Sequence, residues 1–233
     1  MFRCKDEPFA KVLRCLRTAK PTAGTTRHGE TSVHNIMRGR RAWRGNMPTA
    51  DAVKKILAKH PDTTMLAVTR KGVRLLDDLC VRSQFGNQTP LTVIDGDFES
   101  NPANYDGAGN MLPIRQCVAT ELPLFVGMQI YFTRNVDKSR DIANGVRAEV
   151  LAWSKRFDAI KVRTSTGKEV WVTRWYDKDL EGKTYFPVKA GYATTVLKVC
   201  GAELPHVTLW LDRPFTAGAA YTAMSRVSYG RDL

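Results

Sequence analysis

The 233-residue sequence has no run of about 18 apolar residues and no N-terminal apolar segment of the signal-peptide kind, which argues against membrane spanning and against secretion. Its five cysteines, Cys4, Cys15, Cys80, Cys117 and Cys200, are odd in number and scattered, with no C-x-x-C pair and no histidine at ligand spacing. That pattern speaks against a disulfide framework or a structural zinc site and fits reduced thiols inside a cell. The four histidines, His28, His34, His60 and His206, share no motif, so no metal ligand is assigned. A phosphate loop is also missing. Glu181-Gly182-Lys183-Thr184 ends like G-x-x-x-x-G-K-T, but Asp177 holds the first glycine position and no strand-to-helix transition surrounds it. Asp95 closes the apolar run LTVID, yet Gly96 follows where a metal-binding acid pair needs a second carboxylate.

What the chain has in excess is positive charge. Lys and Arg number 36 against 23 acids, a formal +13, which favours a polyanion through steering and counterion release. Nucleic acid is the default partner, and an anionic membrane surface the competitor. Asp6, Glu7 and Pro8 open a helix that carries Phe9, Val12, Leu13 and Leu16 on one face to about residue 18. That face needs a partner, and a domain outside this sequence is the expected one. Residues 19–47 are poor in apolar side chains and gather Arg38, Arg40, Arg41 and Arg44 around Trp43, either a phosphate-and-base contact or a solvated basic loop. Thr49 then caps a helix to about Lys59, with Val53, Ile56 and Leu57 as its buried stripe.

Met65 to Thr69 reads as a buried strand, followed by the basic turn Arg70-Lys71-Gly72 and a helix, a layout that turns backbone amides toward a phosphate. Residues 99–112 read as loop. From Leu122 the period becomes two: short runs rich in Val, Ile, Trp and Thr, separated by turns such as Asn144-Gly145 and Thr166-Gly167, predict a small barrel or curled sheet. Arg134, Lys138, Lys155, Lys161 and Arg163 make it basic, as a strand-binding surface or as ordinary solvated faces. The last stretch, from Phe186 to Val227, predicts a helix opening near Thr194, a strand from His206 to Leu211, and a small-residue helix that ends by delivering Ser225 and Arg226. A guanidinium suits phosphate oxygens, and Lys198 and Gly201 lie in the unit's other turn; the plainer reading is a surface ion pair and a glycine helix stop.

This last stretch resembles motifs V and VI of superfamily-one helicases of the RecD and PIF type. Phe186, Pro187, Ala193, Thr195, Lys198, Gly201, Leu204, Gly218, Tyr221, Ala223, Ser225, Arg226 and Val227 match in order and spacing. Val199 and Cys200 stand where the family has Ser and Gln, Glu203 stands for Thr, and Ala219 for Gln. The strand from Met65 and the helix after it are similar to motif IV, with Arg70 for its first Asn and Asp77 for its second, and LPLFVGMQIYFTRN with ANGVRAEVL resembles the start of an SH3-like insert. The resemblance implies an α/β, RecA-like second motor domain over 48–117 and 186–233, interrupted at 118–185 by a small SH3-like β-barrel, with 1–47 as a junction to a first motor domain. It implies ATP-dependent translocation on single-stranded DNA, usually 5' to 3'. Arg226 becomes the catalytic arginine finger; Gly201, Glu203 and Arg70 lie at the nucleotide; Thr194, Thr195, Lys198 and Arg134 face DNA. No metal ligand is expected here, so ATP and Mg2+ require a complementing first motor domain in cis or in trans, and the chain alone is expected to be inactive, a fragment or one piece of a split motor. A nucleus or mitochondrion would house it in a eukaryote. The alternatives are a nucleotide-independent module for single-stranded nucleic acid and an inactive remnant.

Overall fold

In the computed structural model, residues 4–18, 41–213 and 216–233 are described. Arg38, Arg40, His28 and His34 lie outside them. In chain order the elements are α1 (Glu7–Thr18), α2 (Ala50–Lys59), β1 (Thr63–Ala67), α3 (Arg70–Phe85), β2 (Thr92–Gly96), β3 (Thr120–Leu124), β4 (Gln129–Phe132), β5 (Arg147–Ser154) and β6 (Ala159–Thr164). There follow β7 (Glu169–Val172), β8 (Trp175–Asp177), β9 (Lys183–Tyr185), β10 (Val188–Ala190), β11 (Ala193–Thr195), β12 (His206–Trp210) and α4 (Ala219–Met224). They fall into two compact units, Met1–Gln84 with Tyr192–Leu233, and Phe85–Gly191.

The first unit is a parallel three-stranded sheet in the order β11-β1-β12, with Leu66 opposite Thr194 on one side and Leu209 on the other. All five residues of β1 are buried, as a central parallel strand covered on both faces requires. α1, α2 and α3 each start on a side-chain acceptor: Asp6 Oδ1 takes the Phe9 amide at 3.2 Å, Thr49 Oγ1 that of Ala52 at 3.3 Å, and Thr69 Oγ1 that of Gly72 at 2.9 Å. The apolar face of α1 is not left for an outside domain. Phe9, Val12 and Leu13 are buried against Leu66, Val196, Val207, Met224 and Val227 in one core. Lys5 N donates to Ser228 O at 2.9 Å and Gly230 N to Asp6 Oδ2 at 3.1 Å, so the start of the described chain is tied to its end. The helix expected at Thr194 is absent. That threonine sits in β11, and the segment after it is a 3-10 turn, Val196–Val199, because Thr194 and Thr195 are β-branched and close the strand, and Val196 and Val199 bury themselves in the core.

The second unit carries an antiparallel five-stranded sheet, β10-β4-β5-β6-β7, with a bulge between Val150 and Ala152. Ile130, Phe132, Val150, Ile160, Val162 and Val172 point to a buried face, while Tyr131, Lys161 and Arg163 alternate outward. This is the sheet read from the alternation, but open: among the described residues no pairing joins β10 to β7, so the small barrel does not close. The LTVID strand is β2, paired antiparallel with β3 in this unit. Glu181-Gly182 form a turn with φ of +50° and +80° leading into β9, in a hairpin with β8, so the G-K-T look-alike has no helix behind it.

Candidate functional site

The C-terminal ends of β11, β1 and β12 place three turns along one edge of the parallel sheet, where open α/β sheets hold ligands. At the end of β11 come Thr195 and then the 3-10 turn with Lys198; after β1 come Thr69 and Arg70; after β12 comes Asp212. Val196 and Val199 anchor the first turn in the core, leaving Leu197, 79% exposed, and Lys198 on its outer side. Thr194 is buried within β11 and Thr195 half-buried at its end. Gly201 has a φ of +89°, and a Cβ built there would meet nothing within 4 Å, so the glycine both makes the turn and leaves its outer side open.

Arg226 comes to the back of that turn from the end of α4. Its Nε donates to Thr222 O at 2.8 Å and one terminal nitrogen to Ser225 Oγ at 2.6 Å; the other reaches Val199 O at 3.4 Å and Ala202 O at 3.5 Å. Every acceptor is neutral. Among the described residues no carboxylate pairs with this guanidinium, so the ion-pair reading of a terminal arginine does not apply. Glu203 turns aside: its carboxylate accepts from the Ser228 hydroxyl and borders a shallow cavity of about 280 Å³ with Lys5, Leu204, Pro205, Tyr229 and Asp232. Two carboxylates against one ammonium make that cavity a poor seat for a polyphosphate.

The turn at Arg70 already holds an anion, one supplied by the chain. Asp212 Oδ1 accepts from Val68 N at 2.7 Å and Thr69 N at 3.2 Å, and Oδ2 from the Thr69 hydroxyl. A Cβ at Gly72 would lie 2.3 Å from Asp212 Oδ2, so the glycine is what lets the carboxylate approach the start of α3. The sequence read this turn as facing an external phosphate, and Asp212, distant in sequence and in no motif, gave no sign that it fills the place.

Arg134 lies in the other unit, in a network of its own. Its Nε donates to Asp177 Oδ2 at 2.9 Å, and a terminal nitrogen reaches Glu99 at 3.4 Å and Thr133 O at 3.1 Å; Tyr185 also donates to Asp177 at 2.6 Å. Burial works against the charge of Asp177, but the Tyr185 hydroxyl and Arg134 outweigh it and hold the carboxyl below the usual range. Nearby Asp97 goes the other way. It is 3% exposed, its Oδ1 has no hydrogen-bond partner among the described residues, and burial with the charge of Glu99 pushes its carboxyl up. Among the described residues no three His, Cys, Asp or Glu side chains gather to hold a metal, and no helix is long and apolar enough to cross a membrane. What this edge presents is a guanidinium beside a glycine turn, a donor set whose chemistry suits phosphate oxygens.

No family model matches the chain. Its sequence is similar to the ATP-dependent DNA helicase PIF1 of Rattus norvegicus, 31% identical over 234 residues, covering 97% of this chain and 32% of that protein. The fold is shared with the Pif1 helicase of Candida albicans, at a TM-score of 0.64 and 20% identity over 100% of this chain and 54% of the other. It is shared also with Bacteroides Pif1 bound to single-stranded DNA, at 0.60 and 18% identity over 100% of this chain and 50% of that one. The chain spans about a third or less of the length of the curated relatives it matches.

Proposed function

We propose that this chain, similar in sequence and in fold to PIF1-type helicases, is the second motor domain of an ATP-dependent DNA helicase that moves on single-stranded DNA, 5' to 3'. The observation that carries this is Arg226, a guanidinium set against the turn of Lys198 and Gly201 with only neutral acceptors around it. Charge left uncompensated in this way meets the charge that grows on a transferring phosphoryl group, and arginine fingers contribute on the order of 10³ to 10⁵ in rate. Reaching a γ-phosphate costs Arg226 its two longest bonds, to Val199 O and Ala202 O, and keeps the shorter ones to α4. Gly201 gives the backbone room beside the nucleotide, with Glu203 and Arg70 at its margin. Lys198 supplies a point charge for the DNA backbone next to the hydroxyls of Thr194 and Thr195.

The phosphate loop and the acids that hold Mg2+ belong to a first motor domain, in cis or in trans, and ATP with Mg2+ is bound only when that domain is present. The chain alone is then expected to bind a labelled oligonucleotide and to hydrolyse no ATP. With a first motor domain added, hydrolysis appears, and Arg226→Ala removes about a thousandfold or more of it while leaving oligonucleotide affinity unchanged. Equal turnover by the complemented parent and Arg226→Ala would sink the assignment. A second reading, a nucleotide-independent binding module, is favoured by Val199, which stands at a polar position of the family and is buried in the core. It requires that binding ignore ATP and that complementation fail.

A further inference from the structure

The β5–β6 hairpin ends in Lys155, Arg156 and Phe157, and Phe157, 66% exposed, is the most exposed large apolar side chain described in its unit. Arg156 lies over its ring at 5.3 Å from the centroid. The tip is braced: Asp158 holds a φ of +44°, unfavourable for a residue with a Cβ, and is pinned there by Arg174 Nε at 2.6 Å, while Arg174 also grips Asp95 at 2.9 Å. A pinned turn presenting an open ring is an arrangement that burial alone would not produce. The cations on the sheet itself differ from those of the tip. Lys161 and Arg163 are paired with Glu169, and Arg163 also with Glu149, whereas Lys155 and Arg156 have no carboxylate partner among the described residues.

We infer that this tip is a base-stacking point for single-stranded nucleic acid, with one base on the open side of the Phe157 ring and the flanking phosphates on Lys155 and Arg156. The inference rests on the single-strand reading above. It names the insert's contact as the tip and not the paired cations of the sheet. An aromatic platform with unpaired cations fits a single strand because every base has a π-face and every step a phosphate.

The experiment is titration of the full chain with a fluorescein-labelled oligothymidylate and with an abasic strand of the same length. Phe157→Ala is expected to weaken binding of the thymidylate about fivefold to a hundredfold and to change binding of the abasic strand little. Its salt dependence stays that of the parent, whereas Lys155→Ala with Arg156→Ala lowers the slope of log affinity against log salt by about 0.7 for each charge removed. Phe157→Trp keeps parental affinity and adds a fluorescence signal quenched by the thymidylate. Parental affinity in Phe157→Ala together with an unquenched Phe157→Trp overturns the inference and leaves the motor reading standing. Failure of the parent chain to bind any strand overturns both.

Discussion

Asp212 occupies the start of α3 through three donors, and Gly72 is the residue that makes room for it. A methyl group added at Gly72 meets Oδ2 at 2.3 Å and Cγ at 2.6 Å, well inside contact distance, so Gly72→Ala must displace the carboxylate. Its helix propensity gains about 1 kcal/mol over glycine, against roughly 1–3 kcal/mol for overpacking and further loss as the bonds to Val68 and Thr69 open. The net expectation is a destabilisation of about 1–3 kcal/mol. Asp212→Ala alone removes the hydrogen bonds to a charged acceptor and the favourable charge at the helix start, about 2–3 kcal/mol together. In the double variant the clash is gone, the remaining neighbour being Ala67 Cβ at 3.0 Å, so Gly72→Ala then costs within about 1 kcal/mol of nothing. The two effects should fall short of additivity by roughly 1–3 kcal/mol, measured as a double-mutant cycle by urea unfolding with an unchanged slope. Additivity within about 0.5 kcal/mol would show that Asp212 and Gly72 do not share the turn, and would restore that turn as a seat for an outside phosphate.

Two acids of the second unit should respond to pH with opposite signs. Asp177 has a depressed carboxyl, so its contribution is present above the usual carboxylate value and is lost as pH falls through the folded one; Asp177→Asn should cost about 2–4 kcal/mol near neutrality, discounted for the quarter-exposed Arg134, and flatten the acid limb of the unfolding curve. Asp97 has a raised carboxyl, so folding is favoured by its protonation and stability declines as pH rises from the usual carboxylate value through the raised one. Asp97→Asn should match or exceed the parent at neutral pH and lose that decline, read from thermal unfolding at a series of pH values. Leu13→Ala, at 2% exposure in the core shared by α1 and α4, should cost about 2–5 kcal/mol, and a cost under about 1 kcal/mol would mean that α1 is not docked as described.

The elements that follow from local rules were legible: the capped helix at Thr49, the buried strand before Arg70, and the period of two in the insert. Each is written in neighbours a few residues apart. The misread features depend on residues distant in sequence. The apolar face of α1 looks unpartnered until Val196, Val207, Met224 and Val227 are brought to it, almost the whole chain away. The run after Thr194 has helix-forming Leu and Lys, but β11 pairs in parallel with β1 through Thr195 and leaves only a 3-10 turn after it, tertiary pairing overriding local propensity. Whether the insert closes is decided by pairing between β10 and β7, which alternation along single strands does not encode.

Site residues show the same division. Motif spacing located Arg226, Lys198 and Gly201, and the fold gathers all three at one turn, because α4 packs its small side chains, Ala219 and Ala223, into the core and so brings its end against Val199 and Ala202. Spacing does not say what a charged group faces. Arg134 and Arg226 look alike in sequence, as arginines beside strand or helix ends. One is surrounded by Asp177 and Glu99, and the other by carbonyl and hydroxyl oxygens. The difference sets their chemistry. A guanidinium already neutralised by two carboxylates gains little from a phosphate, since it must give up a pair to take one, whereas one held by neutral acceptors keeps its full attraction for an incoming anion. Of the two, Arg226 is the one with no carboxylate partner among the described residues, and exchanging it for lysine, which keeps the charge but loses the planar fork, should preserve anion attraction while failing to hold the bonds to Thr222 and Ser225 together.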